Sequence, residues 1–170
     1  MAKAYTITSD PFFVNGNLTE SALNTFTEAE ISLPLDSLNR EGILVHAVYW
    51  TVTDPSRVAG LLSDIRCQVT ATSKTGIVGA NDANLISRRE TTIVGGAAEF
   101  SGPHIVDLVG SEAPYQVSDN LGLIATDNVF LGVEGRNQTV TASASFRMVC
   151  SRIKLSADAY AALVTNELSS

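Results

Sequence analysis

Charge is scarce in this 170-residue chain: Asp, Glu, Lys and Arg together make up 17% of it, against roughly a quarter in ordinary globular domains. A surface with so few charged groups has to be largely neutral, and neutral surfaces tend to meet other protein. Eleven Lys and Arg against eighteen Asp and Glu leave a formal charge of −7, and the basic residues are scattered rather than clustered. Tight neutralisation of a phosphate backbone is excluded by that pattern, so no direct nucleic-acid binding is expected. No apolar run approaches the ~20 residues of a membrane helix, and the opening MAKAYTITSD lacks an apolar segment of leader length. The expectation is a chain that begins mature and does not span a membrane.

Reactive groups are as sparse as charge. There is no Gly-x-Ser-x-Gly elbow, no His-Glu-x-x-His, no phosphate-cradling Gly-rich loop ending in Lys and no Cys-x-x-Cys. Of the two histidines, His46 lies within the apolar run Ile43 to Val52 and reads as a hydrogen-bonded core residue. His104, after Gly102-Pro103, reads as a turn residue. Glu28 and Glu30 are the only close carboxylate pair before a strand, and a solvated edge explains them better than acid–base work. Asp119, Asp127 and Asn128 flank a loop without the regular ligand spacing of a calcium site. No catalytic, cofactor or metal site is expected. Cys67 and Cys150 sit among alternating apolar positions as small hydrophobes, with a disulfide open to them if their strands are neighbours.

Alternation is what the chain does have. Ile65, Cys67, Val69 and Ala71 interleave with Arg66, Gln68 and Thr70, the period of a half-buried strand. From Gln138 to Cys150 the pattern continues with Val140, Ala142, Ala144, Phe146, Met148 and Cys150 on one face. The apolar phase then moves to Ile153 and Leu155, which predicts a β-bulge near Ser151. Ala29 to Leu35 alternates, and Ile43 to Val52, apolar on both faces, should be central; Tyr49 and Trp50 within it read as core. Leu85 to Val94, His104 to Val109, Leu121 to Ala125 and Asn128 to Glu134 complete about eight strands, spaced as in a sandwich or barrel. Gly135-Arg136-Asn137 reads as the turn of a hairpin between the last two. Residues 1–27 read as an N-terminal extension of a single domain, 1–170.

Two helices are expected. Asp54-Pro55 is a good cap and first-turn pair for a short helix over Ser56 to Ser63. Ser156 can cap a helix over 156–168 whose Tyr160, Leu163, Val164 and Leu168 share a face. So short a helix is marginal alone, so that face must dock on the domain or on a neighbouring subunit.

The chain's end carries a resemblance. The apolar strand Asn128-Val129-Phe130-Leu131-Gly132-Val133, the Thr/Ala/Ser-rich strand Thr139 to Val149, Arg152, and Ser156-Ala157-Asp158-Ala159-Tyr160-Ala161-Ala162-Leu163 resemble the tail of jelly-roll virion proteins. With the acidic balance and the missing basic arm, the chain is similar to the small major capsid proteins of tailless icosahedral viruses with single jelly-roll subunits. The resemblance implies an all-β, eight-stranded jelly-roll-like sandwich with a short C-terminal helix. It also implies a virion shell subunit that packs against copies of itself or a second capsid protein, with contact to an internal virion membrane as a further possibility. Candidate interface residues are Arg88, Arg89, Tyr160, Leu163, Val164 and Leu168. Competing readings are a decoration, receptor-binding or carbohydrate-binding module, for which Trp50 or Tyr115 should be exposed, and an enzyme in which a histidine meets a carboxylate.

Overall fold

The computed structural model describes residues 4–36, 39–95, 104–108 and 121–168, with 104–108 as backbone only. Among the described residues ten strands form: β1 (Tyr5–Ile7), β2 (Phe12–Thr19), β3 (Thr27–Ser32), β4 (Glu41–Val52), β5 (Leu62–Thr70), β6 (Leu85–Val94), β7 (His104–Leu108), β8 (Gly122–Ile124), β9 (Asn128–Arg136) and β10 (Ser143–Leu155), before α1 (Ala157–Leu168). They make two antiparallel sheets. In the first, β10 and β4 are central, with β1 and β2 on the free side of β10 and β8 beside β4; the second runs β3-β9-β5-β6-β7.

The pairings β2 with β10, β3 with β9, β4 with β8 and β5 with β6 describe one long antiparallel ribbon folded back on itself at the β5–β6 connection. Rolling that ribbon brings β10 against β4 and β9 against β5. This is jelly-roll connectivity in a two-sheet sandwich. Between the sheets lies the core, with Val45, Val48 and Met148 of the first sheet and Ile65, Val69, Leu131 and Val133 of the second all buried. As its two-faced hydrophobicity required, β4 is central.

Residues 1–27 are not an extension: β1 and β2 lie within them, and β2 is a jelly-roll strand. Its Asn15-Gly16-Asn17 has the composition of a turn, which hides the strand. Gly16 is opposite Phe146, and a Cβ there would stand 2.6 Å from Phe146 Cε1 and collide with Ile31. Glycine is what lets the ring close over the backbone. β7, conversely, is an edge addition outside the rolled ribbon.

The expected hairpin between the last two strands does not form, since β9 and β10 belong to opposite sheets. Each shows one face to the same core, and alternation cannot distinguish strands that pair from strands that face each other across 10 Å. Residues 138–142 cross between the sheets, so Val140 is 63% exposed rather than inward.

The expected helix over 56–63 is absent. Ser56 N–H donates to Gln138 Oε1 at 2.7 Å, Gly60 takes φ 73°, and Gly95 exchanges backbone bonds with Gly60 and Leu61 at 3.2 and 2.9 Å. With those partners outside the segment, no i→i−4 ladder is needed.

The bulge is real but sits on the other strand. Val149 and Cys150 pair with Ala47 and Val45, which leaves His46 of β4 as the inserted residue. β10 itself alternates without interruption. Its apolar phase changes because Ile153 and Leu155 point to the outer face of the sheet, where α1 covers them with Leu44 and Ala125.

Cys67 and Cys150 are free, buried thiols on opposite sheets. Burial pushes both up to about 12, because the thiolate would lose its water, a loss that Arg89 and Arg88 near Cys67 only partly offset. A pKa held above the unfolded value favours folding below that value, and the contribution is lost as pH rises towards the folded one. Native protein should therefore leave a thiol reagent such as Ellman's unreacted at pH 8, and its melting temperature should fall between about pH 9 and 12. Rapid modification of either thiol at pH 8 without unfolding would contradict this packing.

Candidate interaction surfaces

Buried polar groups show first what the sandwich spends its chemistry on. Glu20 accepts from the N–H groups of Thr25 at 3.2 Å, Gly135 at 2.5 Å and Ala142 at 2.8 Å. Gln138 donates to the carbonyls of Asp64 and Arg136 at 2.9 and 3.0 Å, and its backbone exchanges two bonds with Asn24. Asp64 accepts from Arg66 and Arg136. Gln68 holds Gly76 O and Val78 N–H at 3.0 and 2.8 Å, fastening the loop after β5 over the second sheet. Among the described residues, Thr72 Oγ1 is the one buried side-chain polar atom without a partner. These groups stitch loops to sheets.

The sequence-derived candidates are placed as follows. His46 is half-buried and shares a 2.9 Å hydrogen bond with Ser151 Oγ, which is itself buried. The side chain of His104, and residues Tyr115 and Asp119, lie outside the described residues. Glu28 accepts from Ser73 Oγ and Lys74 N–H at 2.5 and 2.8 Å, and Glu30 accepts from Asn128, so both carboxylates fasten neighbouring segments. No cluster of three His, Cys, Asp or Glu suited to a metal occurs among the described residues, and no described helix is long and apolar enough to cross a membrane. Trp50 is core, its Nε1 donating to Ser87 Oγ at 3.0 Å; Tyr49, expected beside it in the core, is 55% exposed.

Of the interface candidates, Arg88 is engaged inside the chain, with Glu90 at 2.5 Å and Val78 O at 3.0 Å. Arg89 lies opposite Cys67 on β6, beside Trp50 and Asp54. Tyr160, Leu163 and Val164 are half-buried against the chain's own Leu44, Ile153 and Leu155. The side chain of Leu168 is outside the described residues. α1 begins as its sequence indicated, with Ser156 Oγ accepting from Ala159 N–H at 3.3 Å. At its far end buried Glu167 accepts from the N–H groups of Ala125 and Thr126, both at 2.9 Å. That pair of bonds fixes the helix to the loop after β8, and sequence reasoning missed it because a glutamate near a helix C-terminus looks like a solvated charge.

Two surfaces are open among the described residues. At one end of the sandwich the loops 20–26, 53–61 and 137–142 meet, stitched by Glu20, Asn24, Ser56 and Gln138. They carry exposed aliphatic side chains: Leu23, Leu61 and Val140 are between 45% and 63% exposed, and beside them Leu62 and Val94, paired at the ends of β5 and β6, are each 40% exposed. The other surface is the part of the first sheet's outer face that α1 leaves uncovered. Here β2, β10 and β4 register in rows: Asn17, Ser145 and Thr51; Asn15, Arg147 and Tyr49; Phe13, Val149 and Ala47. All of these but Ala47, together with Gly16 and Phe146, line a shallow open depression of about 840 Å³. Phe13 and Tyr49 are 62% and 55% exposed. Arg147 lies over the Phe13 ring at 5.3 Å and donates from Nε to Asn15 Oδ1 at 3.2 Å.

No family model and no curated protein sequence matches the chain. Among solved structures, it is similar to a Nora virus structure at 11% identity and TM-score 0.32, over 89% of this chain and 59% of that one. It is also similar to a Desmodium yellow mottle tymovirus structure at 12% identity and TM-score 0.25, over 89% of this chain and 94% of that one. Superpositions this partial define neither a family nor an activity. The chain spans less than two thirds of the Nora virus chain it matches.

Proposed function

We propose that the chain is a non-catalytic structural subunit of an icosahedral virus shell, resident in the virion and assembling with copies of itself, with or without a second shell protein. A jelly roll is compatible with capsid, lectin and enzyme roles alike, so the fold cannot carry the reading by itself. The observation that carries it is the apolar end of the sandwich. Exposed loop tips are ordinarily polar, yet these place Leu23, Leu61 and Val140 in solvent, next to Leu62 of β5, on backbone held by buried hydrogen bonds. Aliphatic groups on pre-organised loops lose little ordering entropy on contact and leave no charge to desolvate. That suits a contact repeated many times over a closed surface.

The acidic balance fits a shell that encloses its genome without gathering it. Light scattering on the full-length protein across a concentration series tests the reading. The expected result is a species of several subunits that grows with concentration and persists in high salt, since the contact is apolar. A monomer at every concentration would remove the reading.

A further inference from the structure

We propose that the open face around Arg147 is a binding site for a carboxylate-bearing sugar, such as the terminal acidic residue of a glycan. The rows of β2, β10 and β4 put one cation at the centre of a neutral field: none of the ten residues lining the depression is acidic. Elsewhere on this acidic chain Arg66, Arg136, Arg88 and Lys74 are each paired with a carboxylate. Arg147 has instead been given a ring and an amide. The Phe13 face and Asn15 Oδ1 hold the guanidinium plane and occupy Nε. Among the described residues nothing occupies its two terminal nitrogens, the pair that grips a carboxylate through parallel N–H···O bonds.

The surroundings supply what the rest of a sugar needs. Tyr49, exposed and directly across from Arg147, offers a ring against which the C–H face of a pyranose can stack. Asn15, Asn17, Thr51 and Ser145 ring the site with neutral donors and acceptors for hydroxyl groups. A shallow, open shape admits the end of a chain rather than an enclosed small molecule. Charge argues for a single carboxylate over a polyanion: one arginine on a protein of net charge −7 attracts one anionic group but not a run of phosphates.

Saturation-transfer NMR on the full-length protein with 3′-sialyllactose, lactose and a short oligothymidylate as probes tests this. The sialylated sugar should bind and lactose should be at least about tenfold weaker, with binding lost in Arg147→Gln, because a charge-assisted bidentate contact is worth about that factor or more. Arg147→Lys should restore only part of it, and Tyr49→Ser should weaken it while leaving the melting temperature unchanged. Equal binding of lactose and sialyllactose, undiminished binding by Arg147→Gln, or binding of oligothymidylate alone would each overturn the proposal. The same samples examined for assembly keep the two readings apart, since these substitutions lie away from the apolar end and should leave particle formation intact.

Discussion

Replacing Phe146 by Ala is expected to lower the unfolding free energy by about 3–5 kcal/mol, the usual cost of truncating a well-packed core aromatic. Phe146 is buried in the first half of β10, the strand that pairs with β1, β2 and β4. Its ring lies 5.8 Å from that of Trp50, tilted by 54°, and it covers Gly16 of β2. Truncation therefore leaves a cavity bounded on one side by a glycine that has no side chain to fill it. Denaturant unfolding monitored by Trp50 fluorescence measures the loss. A change below about 1 kcal/mol would mean that the facing of β10 is inverted, since surface substitutions fall in that range.

Replacing Glu167 by Ala should cost about 2–4 kcal/mol, because it strips the acceptors from two N–H groups, of which that of Ala125 is buried and each orphan costs ~1–3 kcal/mol. The bonds to Ala125 and Thr126 close the far end of α1 onto the loop after β8, while Tyr160, Leu163 and Val164 pack along its length. Ending the chain after Leu155 removes both contributions and bares Leu44, Ile153 and Leu155. The first effect of that truncation should be a lower melting temperature, with any loss of assembly following from it. A truncated protein that melts like the full chain would show that α1 is not docked on its own sheet.

How much of this was legible in the sequence depends on the kind of signal each element leaves. β4, β5 and β10 announce themselves through alternation or two-faced hydrophobicity, because a strand's period of two survives any tertiary arrangement. β2 left no such signal: Asn15, Gly16 and Asn17 are chosen for Phe146 and for the open face, and both demands look like a turn. The false helix over 56–63 has the opposite origin. Asp54-Pro55 is good local chemistry for a helix start, but Gln138 and Gly95, both distant in sequence, take the backbone groups instead.

Strand pairing was the least legible property. The short Gly135-Arg136-Asn137 connection looks the same whether the chain turns within one sheet or crosses to the other, and Gln138 and Glu20 fasten the crossing through partners on β5, on β9 and in the 53–61 loop. The open face was hidden for a related reason. Tyr49 adjoins Trp50 in an apolar run, and neither alternation nor composition tells which side of the sheet α1 covers. Arg147 falls on the polar face of the β10 alternation, between Phe146 and Met148, but its neighbours Asn15 and Tyr49 come together only through register.

The apolar end of the sandwich is where subunits should join. Negative-stain imaging of the full-length protein beside a Leu61→Glu, Val140→Glu double variant tests this most directly, since both side chains are exposed and the change should leave the fold and melting temperature intact. The expected result is symmetric particles or capsomers from the unaltered chain and dispersed monomers from the variant. Monomers from both, or equal particles from both, would contradict it.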